Sequence, residues 1–199
     1  MVETIIDLLY SYWIFTAVLV LILLGWLANL VGIDQNEDIV GFKYKEMPNM
    51  RPIRIPTDGK GFWGAIWHWF WGVRQWEIAK DFVFELNGEE YVIPAGFTFD
   101  GASVPKFLAS WLSPVGILLM GGLVHDYIYK YTVLLKANKH QVSPVMTQKE
   151  ADILFRDINI EQNGIHVLNY AAYYALRLGG FVAWKGHRKA GCKVELYDK

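Results

Sequence analysis

The longest uninterrupted pattern in the chain is apolar. Residues 8–33 contain no charged side chain, and Leu, Ile, Val and Phe dominate residues 13–33. An α-helix needs about 20 such residues to cross the hydrocarbon core of a bilayer. Tyr12 and Trp13 stand where interfacial aromatic residues are expected. The pattern therefore predicts one transmembrane helix.

Charges on either side of this segment predict its orientation. Glu3 and Asp7 precede it without any Lys or Arg, which does not match the start of a cleaved signal peptide. Four basic residues follow it: Lys43, Lys45, Arg51 and Arg54. Because basic residues favour the cytoplasmic side, we expect a single-pass membrane protein whose body lies in the cytoplasm.

The next segment is rich in proline and then in tryptophan. Prolines and glycines in residues 34–60 predict a linker or an irregular wrap. In residues 61–76, aromatic residues recur at helical spacing: Trp63, Trp67, Phe70 and Trp71. A Trp-rich amphipathic helix after a membrane span favours the membrane–water interface. An aromatic plug in the protein core is the alternative.

A hairpin pattern occupies residues 78–99. The runs DFVFEL and EEYVI flank Asn87 and Gly88, the pair that most strongly favours a two-residue β-turn. Pro94 and Gly96 then interrupt the second strand. The pattern predicts a small antiparallel sheet.

Helical patterns fill most of the remainder. Residues 107–135 are largely apolar and predict a helix that breaks near Pro114. Thr147 and Glu150 form a capping box that begins another helix, and residues 165–184 predict a last one. In this last helix five residues form a stripe that we expect to be buried: Val167, Tyr170, Ala171, Tyr174 and Leu178.

Charge and cysteine content restrict the function. Nineteen basic and 20 acidic side chains give a net charge of −1, which argues against a dedicated nucleic-acid binder. The single cysteine, Cys192, excludes an internal disulfide and a cysteine-rich zinc site. A bound metal would therefore use oxygen and imidazole ligands.

The most informative polar residues lie in the apolar run GGLVHDYIY. His125 and Tyr129 share a helix face, whereas Asp126 is turned about 100° away and is not expected to orient the imidazole. Asp152, among the apolar residues of the capped helix, is the expected partner of one imidazole nitrogen. The other nitrogen would then accept a proton from water. The alternative is a satisfied His–Asp pair in the protein core.

Asp126 is then available for a second role. The loop that contains Asp100 has small residues whose carbonyl groups, with both carboxylates, would suit Ca²⁺. The alternative is an ordinary Asp–Gly turn. A zinc site made from His125, Asp126 and His140 is a further alternative, although their spacing is not standard.

Three motifs carry a family resemblance. The runs IPAGFTFDGASVP, HDYIY and ADILF lie in this order between Val92 and Gly180. Together they resemble domain of unknown function 1353, a phage and bacterial family. The family name implies no activity.

The same order of motifs also resembles phospholipase A2, especially its bacterial form. TFDGAS, VHDYIY, EADILF and YYALRLGG follow one another here. The resemblance implies that His125 activates water and that Asp152 orients it, with Tyr129 bracing the pair. It also implies Asp126 and Asp100 as Ca²⁺ ligands, with a carbonyl from Gly101.

These expectations combine into one hypothesis. The fold class is mainly α with a small β-hairpin or sheet (α+β), with an N-terminal transmembrane helix and a phospholipase A2-like helical core. The chain divides into a transmembrane segment (1–33), a linker with a Trp-rich interfacial segment (34–76) and a phospholipase A2-like domain (77–199).

The predicted function is calcium-dependent hydrolysis of lipid esters at the bilayer, with a phospholipid as substrate. A non-enzymatic phage or accessory membrane protein that binds a partner or perturbs the bilayer is the alternative. In that case Trp63, Trp67 and Trp71 would carry the function. No nucleic-acid partner is expected.

Overall fold

The computed structural model describes residues 40–54, 59–71, 75–99 and 116–194, together with Tyr12 and Leu196. Within these residues no helix combines the length and the apolar character that crossing a bilayer requires. This finding contradicts the predicted transmembrane helix and the predicted single-pass membrane location. The apolar run at residues 8–33 lies outside the described residues, apart from Tyr12.

Seven strands form two antiparallel sheets in the described part of the chain. The four-stranded sheet has the order β1-β4-β5-β7, and the three-stranded sheet has the order β2-β3-β6. The strands are β1 (Lys43–Tyr44), β2 (Met50–Pro52), β3 (Trp76–Ile78), β4 (Phe82–Leu86), β5 (Glu89–Ile93), β6 (Thr98–Phe99) and β7 (Leu135–Lys136).

The predicted hairpin is confirmed. Strands β4 and β5 pair in register, with Phe82 opposite Ile93 and Leu86 opposite Glu89. Asn87 and Gly88 connect them with φ values of 51° and 81°. Both are positive, as a type I′ turn requires, and this turn matches the right-handed twist of paired strands.

Five helices are present in the described residues: α1 (Gly61–Trp71), α2 (Leu119–Tyr131), α3 (Gln148–Asn163), α4 (His166–Gly179) and α5 (Phe181–Ala190). The capping box is confirmed at the start of α3, where the Thr147 side chain accepts from the Glu150 backbone N–H. Gly164 ends the helix with a φ of 67°, which suits a residue without a Cβ.

Helix α2 lies at the centre of the core. It packs between the sheet residues and α3, and it buries residues on all sides. Gly121 permits the close approach of α3, because a Cβ there would overlap the Asn159 side chain and the Phe155 carbonyl oxygen. The Gly121 backbone N–H donates to Asn159 Oδ1 at 3.1 Å. The helix pair therefore has a fixed register.

Three further sequence predictions are corrected. Helices predominate in the described residues, as predicted, but the hairpin belongs to a larger set of seven strands in two antiparallel sheets. Residues 43–52, within the predicted linker, contribute strands β1 and β2, which pair with strands from residues 76–86. The last helix is interrupted at Gly180, and its expected buried stripe is wrong, since Ala171, Tyr174 and Leu178 are exposed.

Candidate active site

Helices α2 and α3 bring His125 and Asp152 together. His125 lies in the second turn of α2, an almost entirely apolar helix whose burial carries the imidazole inward. Asp152 lies in the second turn of α3, on the face that packs against α2. His125 Nε2 is 3.0 Å from Asp152 Oδ1. Because a carboxylate only accepts, the proton of this bond belongs to Nε2.

Two further side chains donate to Asp152. The Tyr129 hydroxyl donates to Oδ1 at 2.6 Å, and Arg177 Nη1 on α4 donates to Oδ2 at 2.7 Å. The Asp152 side chain is 0% exposed, so these bonds replace its contacts with water. Tyr129 in turn accepts from Gln148 Nε2 at 3.1 Å. We call His125, Tyr129, Asp152 and Arg177 the Asp152 cluster.

The cluster fixes the charges of its members. Burial alone would raise the pKa of Asp152, but hydrogen bonds from His125, Tyr129 and Arg177 outweigh it and lower the pKa. Burial alone would lower the pKa of His125, but its contacts with Asp126 and Asp152 raise it above the ordinary value. Burial, reinforced by the bond to Asp152, raises the pKa of the Tyr129 hydroxyl. Asp152 is therefore a carboxylate and Tyr129 a neutral donor at neutral pH.

Asp126 lies closer to the imidazole than its position on the helix suggests. Its Oδ1 is 3.4 Å from His125 Nδ1, so the expectation that it turns away from His125 is wrong. Adjacent Cα–Cβ bonds on a helix diverge by about 100°, but side-chain rotation brings the two groups back together. The contact is long for a hydrogen bond to nitrogen. Nδ1 is thus held less firmly than Nε2.

A cavity of about 280 Å³ adjoins the cluster. His125 is only 4% exposed, yet it lines this cavity together with Asp126 and Tyr129. The other polar lining residues are Gln75, Thr98, Lys130 and His187, and the apolar ones include Phe99, Phe155, Leu176 and Ala183. The volume is near the lower end of the range for small-molecule sites. His125 therefore lies at the border of a space of small-molecule size.

The comparisons with known proteins identify one family. The model of the family described as "Protein of unknown function (DUF1353)" matches residues 76–176, just over half of the chain. The chain belongs to the DUF1353 family. No curated protein and no solved structure matches it. The resemblance to phospholipase A2 therefore has no support from the comparisons.

The DUF1353 match covers most of the Asp152 cluster. Residues 76–176 include His125, Tyr129 and Asp152, whereas Arg177 follows the last matched residue. Sequence reasoning missed Arg177, although one signal was present. It is the only Lys or Arg between Arg156 and Lys185, on a helix of otherwise apolar and neutral residues. A lone cation in such a setting indicates a buried acidic partner.

The other predicted site residues are not part of the cluster. Asp100 and Gly101, the remaining expected Ca²⁺ ligands, lie outside the described residues. Groups of three or more His, Cys, Asp or Glu that suit a metal are absent from the described ranges, which include His125, Asp126 and His140. The zinc alternative is corrected on this finding.

The Trp-rich segment forms helix α1 as predicted. Trp63 and Trp67 are 77% and 64% exposed, so neither is an aromatic plug in the core. Trp71 ends the helix, but its side chain is not among those that the structure describes. Contact of this helix with a membrane interface stays a prediction.

Proposed function

We propose that the protein is a hydrolase that cleaves a carboxylic ester with water, using His125 as the general base. The observation that carries this proposal is the bond between His125 Nε2 and the buried Asp152 carboxylate, beside a cavity that His125 lines. A carboxylate on one imidazole nitrogen fixes the ring and favours its protonated form during proton transfer.

The reaction follows from this arrangement. His125 is neutral only above its raised pKa. In that form it takes a proton from water at Nδ1, and the oxygen of that water attacks the ester carbonyl carbon. The resulting tetrahedral species collapses with loss of the alkoxide, which takes the proton from the imidazolium. The products are a carboxylic acid and an alcohol, and the imidazole returns to its neutral form. Asp152 stays ionised throughout and holds the ring.

The cavity favours an ester with an apolar acyl group. Phe155 and Leu176 present apolar surface to it, while Gln75 and Thr98 present polar groups. A lipid ester combines both characters, and a phospholipid is the natural substrate to test first. The choice of substrate rests on the residues that line the cavity and not on the activity of a related protein.

Calcium is a separate part of the proposal. Asp126, with Asp100 and Gly101, would hold the ion, which would supply electrostatic stabilisation of a developing oxyanion. Calcium sites contain six to eight oxygen ligands, and the described residues supply the Asp126 carboxylate without a surrounding ligand cluster. The described residues alone do not make a calcium site, so the proposed hydrolysis by His125 does not depend on calcium.

The test is release of fatty acid from phosphatidylglycerol and phosphatidylcholine, with p-nitrophenyl butyrate and octanoate as soluble substrates. We expect His125→Asn and Asp152→Asn each to lower kcat by roughly 10²–10⁴-fold, the usual contribution of a general base. His140→Asn, in an exposed loop, is the matched control and keeps full activity. Equal activity of His125→Asn and the wild type would exclude the mechanism. Measuring the same reactions with EDTA tests the calcium part separately.

A binding function is the second candidate, favoured by the exposed aromatic residues of α1. Phe62 and Trp63 stack edge to face at 5.3 Å while both remain largely exposed. Exposed aromatic pairs are typical of surfaces that contact a partner or a bilayer. If the protein has this binding function, Trp63→Ser and Trp67→Ser abolish binding to the partner or bilayer, while His125→Asn changes only stability.

A further inference from the structure

The second oxygen of Asp152 depends on a residue beyond the DUF1353 match. His125 and Tyr129 both bond to Oδ1, whereas the bond to Oδ2 comes from Arg177. Arg177 lies in the last turn of α4. Its side chain is partly exposed to solvent, whereas the Asp152 side chain is fully buried. The two carboxylate oxygens are therefore held from different helices.

Loss of the Arg177 bond would change the carboxylate that holds His125. A buried carboxylate oxygen without a donor is costly, because the group has given up its hydration. The carboxylate then rotates to find another donor, takes up a proton or admits water. Each of these outcomes weakens or redirects the bond from His125 Nε2 to Oδ1.

The segment around Arg177 is built to approach the cluster. Gly180 lies against Tyr129, and a Cβ at this position would overlap the Tyr129 hydroxyl and the Leu176 carbonyl oxygen. Trp184 packs edge-on against the Tyr129 ring with centroids 5.2 Å apart. Arg188 Nη2 donates to the carbonyl oxygens of Tyr129 and Lys130 at the end of α2, at 2.8 and 2.5 Å. Three side chains and one glycine from residues 177–188 thus converge on the same site.

We propose that Arg177 is a positioning residue for His125, acting through Asp152, and that residues 177–188 complete the site beyond the family match. This proposal rests on the proposed hydrolase function for its kinetic consequence. Arg177 does not touch the reacting atoms. Its bond to Oδ2 fixes the rotation of the carboxylate, and the carboxylate fixes the imidazole.

The kinetic test uses Arg177→Gln and Arg177→Lys in the full chain. Arg177→Gln should lower kcat by roughly 10–100-fold, the range found when groups that orient metal-binding histidines are removed, with KM within twofold of wild type. Arg177→Lys keeps a charged donor and should restore most of kcat. Arg156→Gln is the matched control, because Arg156 also pairs with an aspartate, but with its neighbour Asp157 rather than with Asp152. Rates are expressed per folded molecule, with the folded fraction measured by circular dichroism.

A spectroscopic test separates this proposal from the hydrolase function. The His125 Nε2–H proton should give a downfield ¹H NMR resonance that is missing in His125→Asn. In Arg177→Gln it should move upfield or broaden, and in Arg156→Gln it should stay unchanged. If no ester is cleaved but this resonance responds to Arg177→Gln, the positioning role stands and the hydrolase function fails. An unchanged resonance together with an unchanged kcat in Arg177→Gln overturns the positioning role.

Discussion

Helix α2 and the α4–α5 pair meet at the same site but are held in place by different forces. In α2 ten of the 13 residues are buried, including Leu123, Val124 and Ile128. In α4 the buried residue is Asn169, and α5 has none. Apolar burial therefore fixes α2, while specific polar contacts have a larger share in fixing α4 and α5.

Three polar contacts of the α4–α5 pair lie at separate points along the two helices. Arg177 bonds to Asp152, Arg188 bonds to the end of α2, and Asn169 donates to Asn163 Oδ1 at 2.8 Å. The first two lie at the Asp152 cluster itself. The Asp152 cluster therefore has two roles, since the Arg177 bond that holds Asp152 also attaches α4 to the core.

The largest expected effect contrasts two leucines of these regions. Leu123→Ala should lower the free energy of unfolding by about 2–5 kcal/mol, because it leaves a cavity at a fully buried position of α2. Leu178→Ala removes the same atoms from a side chain that is 80% exposed on α4 and should change it by less than about 0.5 kcal/mol. Urea unfolding of both variants measures the difference. Equal losses would show that α4 is buried in solution.

The second effect contrasts two adjacent glycines where α4 meets α5. Gly180→Ala should cost about 1–3 kcal/mol of unfolding free energy, because the new methyl group overlaps Tyr129 and the Leu176 carbonyl oxygen. At Gly179 a Cβ meets nothing within 4 Å, so Gly179→Ala should be neutral or stabilise the protein by up to about 1 kcal/mol.

Thermal unfolding and ester hydrolysis of the two alanine variants provide the measurement. Gly180→Ala should lose activity together with stability, since it displaces the hydroxyl that bonds to Asp152. Gly179→Ala serves as its control and should keep wild-type activity. If both variants behaved alike, close packing at Gly180 would not matter for the site.

The sequence was a good guide where local chemistry decides the structure. Asn87–Gly88 predicted the hairpin because few other pairs accept two positive φ values. Thr147 and Glu150 predicted the start of α3 because both groups of a capping box lie within four residues. The contact between His125 and Asp152 was also anticipated, since a buried acid and a buried imidazole on neighbouring apolar helices need partners. Their catalytic role stays a prediction.

The sequence was a poor guide where distant surfaces decide the structure. Helical periodicity predicted a buried stripe on the last helix, yet periodicity shows which residues share a face and not whether another element covers it. Arg177 was missed because its partner lies 25 residues away on another helix, and a pattern along one helix does not show what the neighbouring helix presents to it. Short strands such as β1 and β2 were missed because two or three residues are too few for a period-two pattern.

The smallest expected effect is a pH dependence that follows from the Asp152 cluster. The pKa of Asp152 is lowered in the folded protein, net of a burial effect that acts in the opposite direction. Its contribution to stability is therefore present above the unfolded pKa of about 3.9 and is lost as pH falls through the lower folded pKa. Arg177→Gln removes one of the three donors and moves the folded pKa closer to the unfolded value, so the loss should be smaller and should be complete at a higher pH than in the wild type.

The opposite sign applies to His125, whose pKa is raised in the folded protein despite its burial. Its contribution to stability is fully present below the unfolded pKa of about 6.5 and is lost as pH rises through the higher folded pKa. Urea unfolding of the wild type, Asp152→Asn and Arg177→Gln between pH 3 and 9 measures both the acid loss of stability from Asp152 and the alkaline loss from His125. Glu77→Gln, which breaks the surface pair with Arg51, is the control and should leave the alkaline loss of stability from His125 unchanged. If the alkaline loss of stability persisted in Asp152→Asn, Asp126 rather than Asp152 would be the main support of the imidazolium. The contact from α4 through Asp152 would then not control the charge of His125.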